Sequence, residues 1–116
     1  WDPEVILLNG FEAKLSPQDV YDNELLADLS AVKNRRVYKM PLGGYRWDPP
    51  NQESPLTWLW LSMILHPDKI DWDMAERISR NYQFIYGQDV TDDDVANILR
   101  VDMNADAANY DIFGAN

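Results

Sequence analysis

The chain has 116 residues, 46% of them hydrophobic and 12% aromatic, a size and composition suited to one folded domain with a single hydrophobic core. Ten Lys and Arg against twenty Asp and Glu leave a net charge of −10, so neither nucleic acid nor an anionic membrane surface is an expected partner. There is no cysteine, which excludes disulfides, zinc–thiolate sites and a thiol nucleophile, and the most apolar run, Leu56 to Leu65, is about half the length that spans a bilayer.

Val5-Ile6-Leu7-Leu8, set between Pro3 and Gly10, is an unbroken apolar run and predicts a strand buried on both faces, as in a parallel sheet covered by helices. Ser16-Pro17-Gln18-Asp19 has the form of a helix start, with a serine N-cap, proline at the first helical position and an acid in the first turn. Tyr21, Leu25 and Leu29 follow at steps of four and predict one helix with a buried stripe. After the basic turn Lys33-Asn34-Arg35-Arg36, Val37-Tyr38-Lys39-Met40 reads as a second strand, closed by Pro41. Leu42 to Glu53 has no periodicity. Gly43-Gly44, Pro49-Pro50 and Asn51 make it a long loop that carries Tyr45, Arg46 and Trp47.

Ser54-Pro55 repeats the helix-start device, and the helix that follows, to about His66, is apolar nearly all round. A helix with no polar face packs on several sides, so this one is expected to lie between the sheet and something else. Pro67 stops it. Asp71 or Asp73 caps a further helix with Ala75, Ile78, Tyr82 and Ile85 on one face and Gly87 as its stop. Thr91-Asp92-Asp93-Asp94 opens a last helix with Val95, Ile98 and Leu99 inward. Beyond Val101 the periodic signal fades, and residues 101–116 are expected to form an irregular tail. Two strands are too few for an independent parallel sheet, and Trp1-Asp2-Pro3 opens directly onto a strand. The chain is therefore expected to be a piece of a longer protein, with residues 1–100 forming part of an α/β lobe.

Chemical motifs are sparse. Asp92-Asp93-Asp94 lacks the alternating ligands, central glycine and terminal glutamate of a calcium loop, and carboxylates in a first helical turn serve the helix dipole. His66 is the sole histidine and sits at a helix end, so no metal site forms around it without carboxylates gathered from afar. No nucleophile elbow, phosphate-binding loop or dinucleotide fingerprint is present, and neither an enzyme activity nor a cofactor is indicated. The segment with functional character is Tyr45-Arg46-Trp47. It follows a strand, where ligands gather in open α/β sheets, and two aromatics around a cation suit an anionic, partly aromatic ligand. The other reading of this segment is a surface loop whose Trp47 folds back onto the core.

The string Ala31 to Tyr38, followed by Pro41, Gly43 and Trp47, then Ser54-Pro55-Leu56, Trp60-Leu61, Leu65-His66-Pro67-Asp68, Phe84-Ile85-Tyr86-Gly87 and Thr91-Asp92, resembles the closing third of class III periplasmic binding proteins. Trp1-Asp2-Pro3-Glu4-Val5-Ile6-Leu7-Leu8 is similar to a strand of the same family. The resemblance implies an α/β fold: part of the C-terminal lobe of a two-lobe protein, a short parallel sheet with several packed helices. It implies the substrate-binding component of an ABC importer, outside the cytoplasmic membrane. Its partners would be permease subunits and a metal compound: an iron–siderophore complex, haem, cobalamin or an oxyanion. Ligand contacts would come from the loops after the strands, Asn9-Gly10-Phe11 and Tyr45-Arg46-Trp47. The family's permease-docking acid precedes the first strand seen here, so no docking residue is assigned. The rival reading is a stand-alone protein-interaction domain that uses the Trp58–Leu65 helix and has no small ligand. On the transporter reading the isolated chain should show exposed apolar surface, dye binding or self-association; on the rival one it is monomeric.

Overall fold

Two short parallel strands carry the fold. In the computed structural model, which describes residues 1–114, β1 (Ile6–Leu8) pairs with β2 (Val37–Lys39) in the register Ile6↔Val37, Leu7↔Tyr38, Leu8↔Lys39. Paired residues of a parallel ladder point to the same face. Leu8 and Val37 accordingly pack with Val20, Ala31 and Val32 on one side. Tyr38 faces the other side and joins Trp47, Leu56, Trp60, Ile78, Leu99 and Tyr110. The expected single core is thus two clusters separated by the sheet. The strand expected to be buried on both faces is not: Leu7 is 39% exposed, because the larger cluster covers β2 and stops short of β1.

The first face is covered by short pieces in place of one helix. α1 (Pro17–Tyr21), a 3-10 turn (Glu24–Leu26) and α2 (Ser30–Lys33) follow one another. The Asn23 side chain accepts from Leu25 N–H at 3.0 Å and closes a local turn that competes with helix continuation. Leu25, expected to be inward, is 92% exposed. Asp2 restarts the helix by accepting from Ser30 N–H at 2.6 Å.

Three longer helices cover the second face. α3 (Ser54–Leu65) turns Leu56, Trp60, Met63 and Ile64 inward and leaves Trp58 68% exposed. α4 (Met74–Tyr86) is capped by Asp73, which accepts from Glu76 N–H at 3.0 Å, and ends at Gly87 in the left-handed conformation (φ 61°), where glycine carries no Cβ penalty. α5 (Asp92–Ile98) opens with a capping box. Thr91 Oγ1 accepts from Asp94 N–H at 3.1 Å, and the Asp94 carboxylate accepts from Thr91 N–H at 2.8 Å. The acidic run is therefore a helix start.

The chain beyond Val101 is turn-rich with one 3-10 helix (Tyr110–Phe113), yet it is packed: Asn104, Ala107, Tyr110 and Phe113 are buried. Trp60 Nε1–H donates to the Tyr110 hydroxyl at 3.0 Å. Residues 115 and 116 of the expected tail lie outside the described residues. This segment also finishes the sheet. Ile6 and Leu8 bond to β2 through Arg36 O and Met40 N–H, so the peptide groups of Val37 and Lys39 point to the far edge. There the Asn104 side chain accepts from Lys39 N–H at 2.7 Å and donates to Lys39 O at 3.0 Å, while Tyr21 Oη–H donates to Val37 O at 3.3 Å. One carboxamide stands where the next strand would pair.

Candidate functional site at the strand ends

Both strands run parallel, so the loops that follow them emerge at the same end of the sheet. After β1, the Asn9 side chain accepts from Phe11 N–H at 2.9 Å and sets a tight turn. Lys39, fully buried, reaches this turn from β2 and donates through Nζ to Asn9 O (2.8 Å) and Glu12 O (2.6 Å). Burial lowers the Lys39 ammonium below its ordinary value, the Arg100 charge adds to that, and Asp48 and Glu12 act against it. Gly10 N–H donates to Asp48 Oδ2 at 2.8 Å, which ties the first loop to the second. A Cβ at Gly10 would meet Arg46 Cγ at 3.2 Å, so the close approach of the two loops favours glycine there.

The loop after β2 is organised by Glu53. This carboxylate is wholly buried and accepts four hydrogen bonds: Oε1 from Trp47 Nε1–H (3.2 Å) and Tyr82 Oη–H (2.6 Å), Oε2 from Tyr45 N–H (3.0 Å) and Tyr86 Oη–H (2.8 Å). The Tyr82 oxygen in turn accepts from Gly44 N–H at 2.9 Å. Burial, then the hydrogen bond to Glu53, push the Tyr82 phenol well above its ordinary value. Gly43 packs so tightly here that a Cβ would overlap Glu53 Oε1 and the Tyr82 oxygen. A short antiparallel bridge, Leu42 to Arg46, and the Asn51 side chain donating to Arg46 O at 2.9 Å complete the loop.

Of the four residues expected in the site, the fold brings Phe11 and Arg46 together: the Arg46 guanidinium lies over the Phe11 ring, 3.2 Å from its centroid. Phe11 remains 73% exposed and Tyr45 52% exposed. Trp47 does not join them. Its ring is 1% exposed, its indole N–H is spent on Glu53, and it takes the alternative place in the core. The bridge at Leu42 and Arg46 explains this, since alternation beyond Arg46 turns the next side chain inward. Glu53, Lys39 and Asp48 hold the loops and were not singled out in the sequence. Lys39, a charge inside an apolar strand, was the visible signal for a buried cation that needed partners.

A guanidinium stacked on a ring keeps its planar fork of N–H groups directed away from the ring face, the geometry that grips carboxylates and other oxyanions. An exposed phenyl and an exposed phenol flank it. The arrangement suits binding: a fixed cation with aromatic walls. Among the described residues no group of His, Cys, Asp and Glu is placed to hold a metal ion directly.

No protein-family model and no curated protein matches the chain. Solved structures do. A periplasmic solute binding protein from Veillonella parvula DSM 2008 is 34% identical with a TM-score of 0.82, over 90% of this chain and 33% of its own. An ABC transporter solute binding protein from Sulfurospirillum deleyianum DSM 6946 is 25% identical with a TM-score of 0.72, over 85% of this chain and 30% of its own. The chain thus spans about a third of the length of these proteins. Its α/β fold, two parallel strands among several helices, is that of part of a solute-binding protein lobe.

Proposed function

We propose that this chain is part of the C-terminal lobe of an ABC importer's substrate-binding component, and that the protein captures a metal compound outside the cytoplasmic membrane and passes it to a permease. The observation that carries this reading is the likeness, in fold and in sequence, to two solute-binding proteins across most of the chain. An iron–siderophore complex is the ligand proposed first; haem, cobalamin and an oxyanion are equally compatible with a cation between aromatic walls. Arg46 neutralises ligand charge, and Phe11 and Tyr45 supply contact area. Trp47 acts only through the loop it anchors.

The test is a titration of the complete binding protein with a ferric siderophore, haemin, cyanocobalamin and molybdate, read by tryptophan fluorescence. One of these should bind with a Kd of about 1 μM or below. Arg46→Ala should weaken that binding at least tenfold, since a charge-assisted contact contributes ~1.5–3 kcal/mol. Equal affinity in the variant removes Arg46 from the site, and no binding across the panel removes the metal-compound reading. A second reading, a protein-interaction domain without a small ligand, draws on the exposed Trp58 and Phe84. A chain that is monomeric by native mass measurement and binds none of the panel favours it.

A further inference from the structure

Arg100 stands in the left-handed region (φ 54°), just past α5. Past α4 this conformation is held by Gly87 (φ 61°), directly after the helix, whereas past α5 it falls on Arg100, with Val101 N–H donating to Ala96 O. Glycine takes this conformation freely and arginine does not. A strained residue persists when its surroundings hold it, and such residues gather at binding sites. Arg35, equally strained (φ 57°) past α2, has an evident partner in the fold, because its guanidinium lies over the Tyr21 ring at 4.3 Å. Arg100 has none of that kind among the described residues.

Its Nε–H is buried and has no hydrogen-bond partner among the described residues, and Nη1 reaches only the weak acceptor Met103 Sδ, at 3.8 Å. Attraction to the end of α5 would be met by an exposed cation and does not require a buried, unpaired N–H. Arg100 also lines a cavity of about 520 Å³ together with Asn97 and the side-chain-free Gly43–Gly44 backbone. Asp94 shares that wall as an ionised carboxylate that accepts from the Thr91 amide and hydroxyl.

We propose that Arg100 and the Asn97 carboxamide form a subsite for a small oxyanion in this cavity, with the guanidinium supplying the charge and the carboxamide a neutral donor. This subsite needs only the present chain and stands apart from the solute reading, whose test is Arg46. The experiment follows the Arg100 Nε–Hε and Asn97 side-chain signals of the 15N-labelled chain as inorganic phosphate is added, with sodium chloride at equal ionic strength as the control. A saturable shift in phosphate alone is expected, and Arg100→Gln should weaken it at least tenfold. Arg100→Gly separates binding from folding: glycine suits the backbone there, so this variant should melt no lower than the parent and still lose the response. Identical shifts in phosphate and chloride overturn the proposal, as does a saturable response that survives in Arg100→Gly. A melting temperature lowered by Arg100→Gly also overturns it, since the side chain would then be held for the fold.

Discussion

Glu53→Gln tests how the strand-end loop is held, because it keeps the shape of the side chain and removes only charge and one acceptor. Four donors converge on two carboxylate oxygens. An amide offers one oxygen, so either orientation turns an NH2 group toward two of them. With nitrogen at the Oε1 position, Trp47 Nε1–H, which can only donate, loses its acceptor inside the core. With nitrogen at the Oε2 position the Tyr86 hydroxyl can turn to accept, and Tyr45 N–H is left unpaired, so this is the cheaper arrangement. An unsatisfied buried donor costs ~1–3 kcal/mol. The bonds that remain lose charge assistance, and the neutral amide recovers part of that through a smaller desolvation penalty. The expected net loss is about 2–4 kcal/mol, against a total stability of about 5–15 kcal/mol for a domain. The variant should therefore fold. Urea unfolding followed by tryptophan fluorescence measures the loss, and hydrogen exchange should show the Tyr45 amide opening faster than amides of α4. A loss below about 0.5 kcal/mol, the range of ordinary surface changes, would mean that the carboxylate does not hold the loop.

Asn104→Ala strips both partners from the Lys39 peptide groups and should cost ~2–4 kcal/mol in the same urea assay. Asp106→Ala, at an exposed position two residues on, is the control and should change stability by about 0.5 kcal/mol or less. Trp60→Ala should cost ~3–5 kcal/mol, and Trp58→Ala, on the exposed side of the same helix, about 0.5 kcal/mol or less, read as the difference in urea midpoints. For Tyr82 the folded-state phenol is raised above its ordinary 10.0, so the folded chain retains a proton that the unfolded chain releases. Its contribution is intact below pH 10 and is lost as pH rises through the folded value. Thermal unfolding from about pH 8 upward should show a decline above about pH 10 that is shallower in Tyr82→Phe.

Helix starts were legible because their chemistry is local. Ser16-Pro17, Thr91 with Asp94, and Gly87 each act within one turn of chain and mark a boundary that the fold keeps; at Ser54-Pro55 the N-cap falls one residue earlier, on Glu53. The Tyr21–Leu25–Leu29 stripe was misleading for the same kind of reason: Asn23 offers the backbone a closer partner than the next helical turn does, and short-range polarity overrode the apolar period. Phe11 and Arg46 could each be placed after a strand, but their stacking depends on strand register and on the Gly10–Asp48 tie, which no spacing reveals. Tyr45, Arg46 and Trp47 are neighbours in sequence and separate in space, since one indole N–H found a buried carboxylate six positions on. Asn104 lies where the hydrophobic period has faded, so periodicity had nothing to say about the residue that closes the sheet.

That closure makes the sheet polar in a topological sense. On the far edge of β2, Val37 O and both peptide groups of Lys39 already have their hydrogen bonds, through Tyr21 and Asn104, whereas the Leu7 peptide groups face outward from β1. Strand addition is then possible in one direction only. A further strand of a longer protein, or of a second copy, would find its template at β1. A surface built this way tolerates pairing without the open-ended growth that two free edges invite.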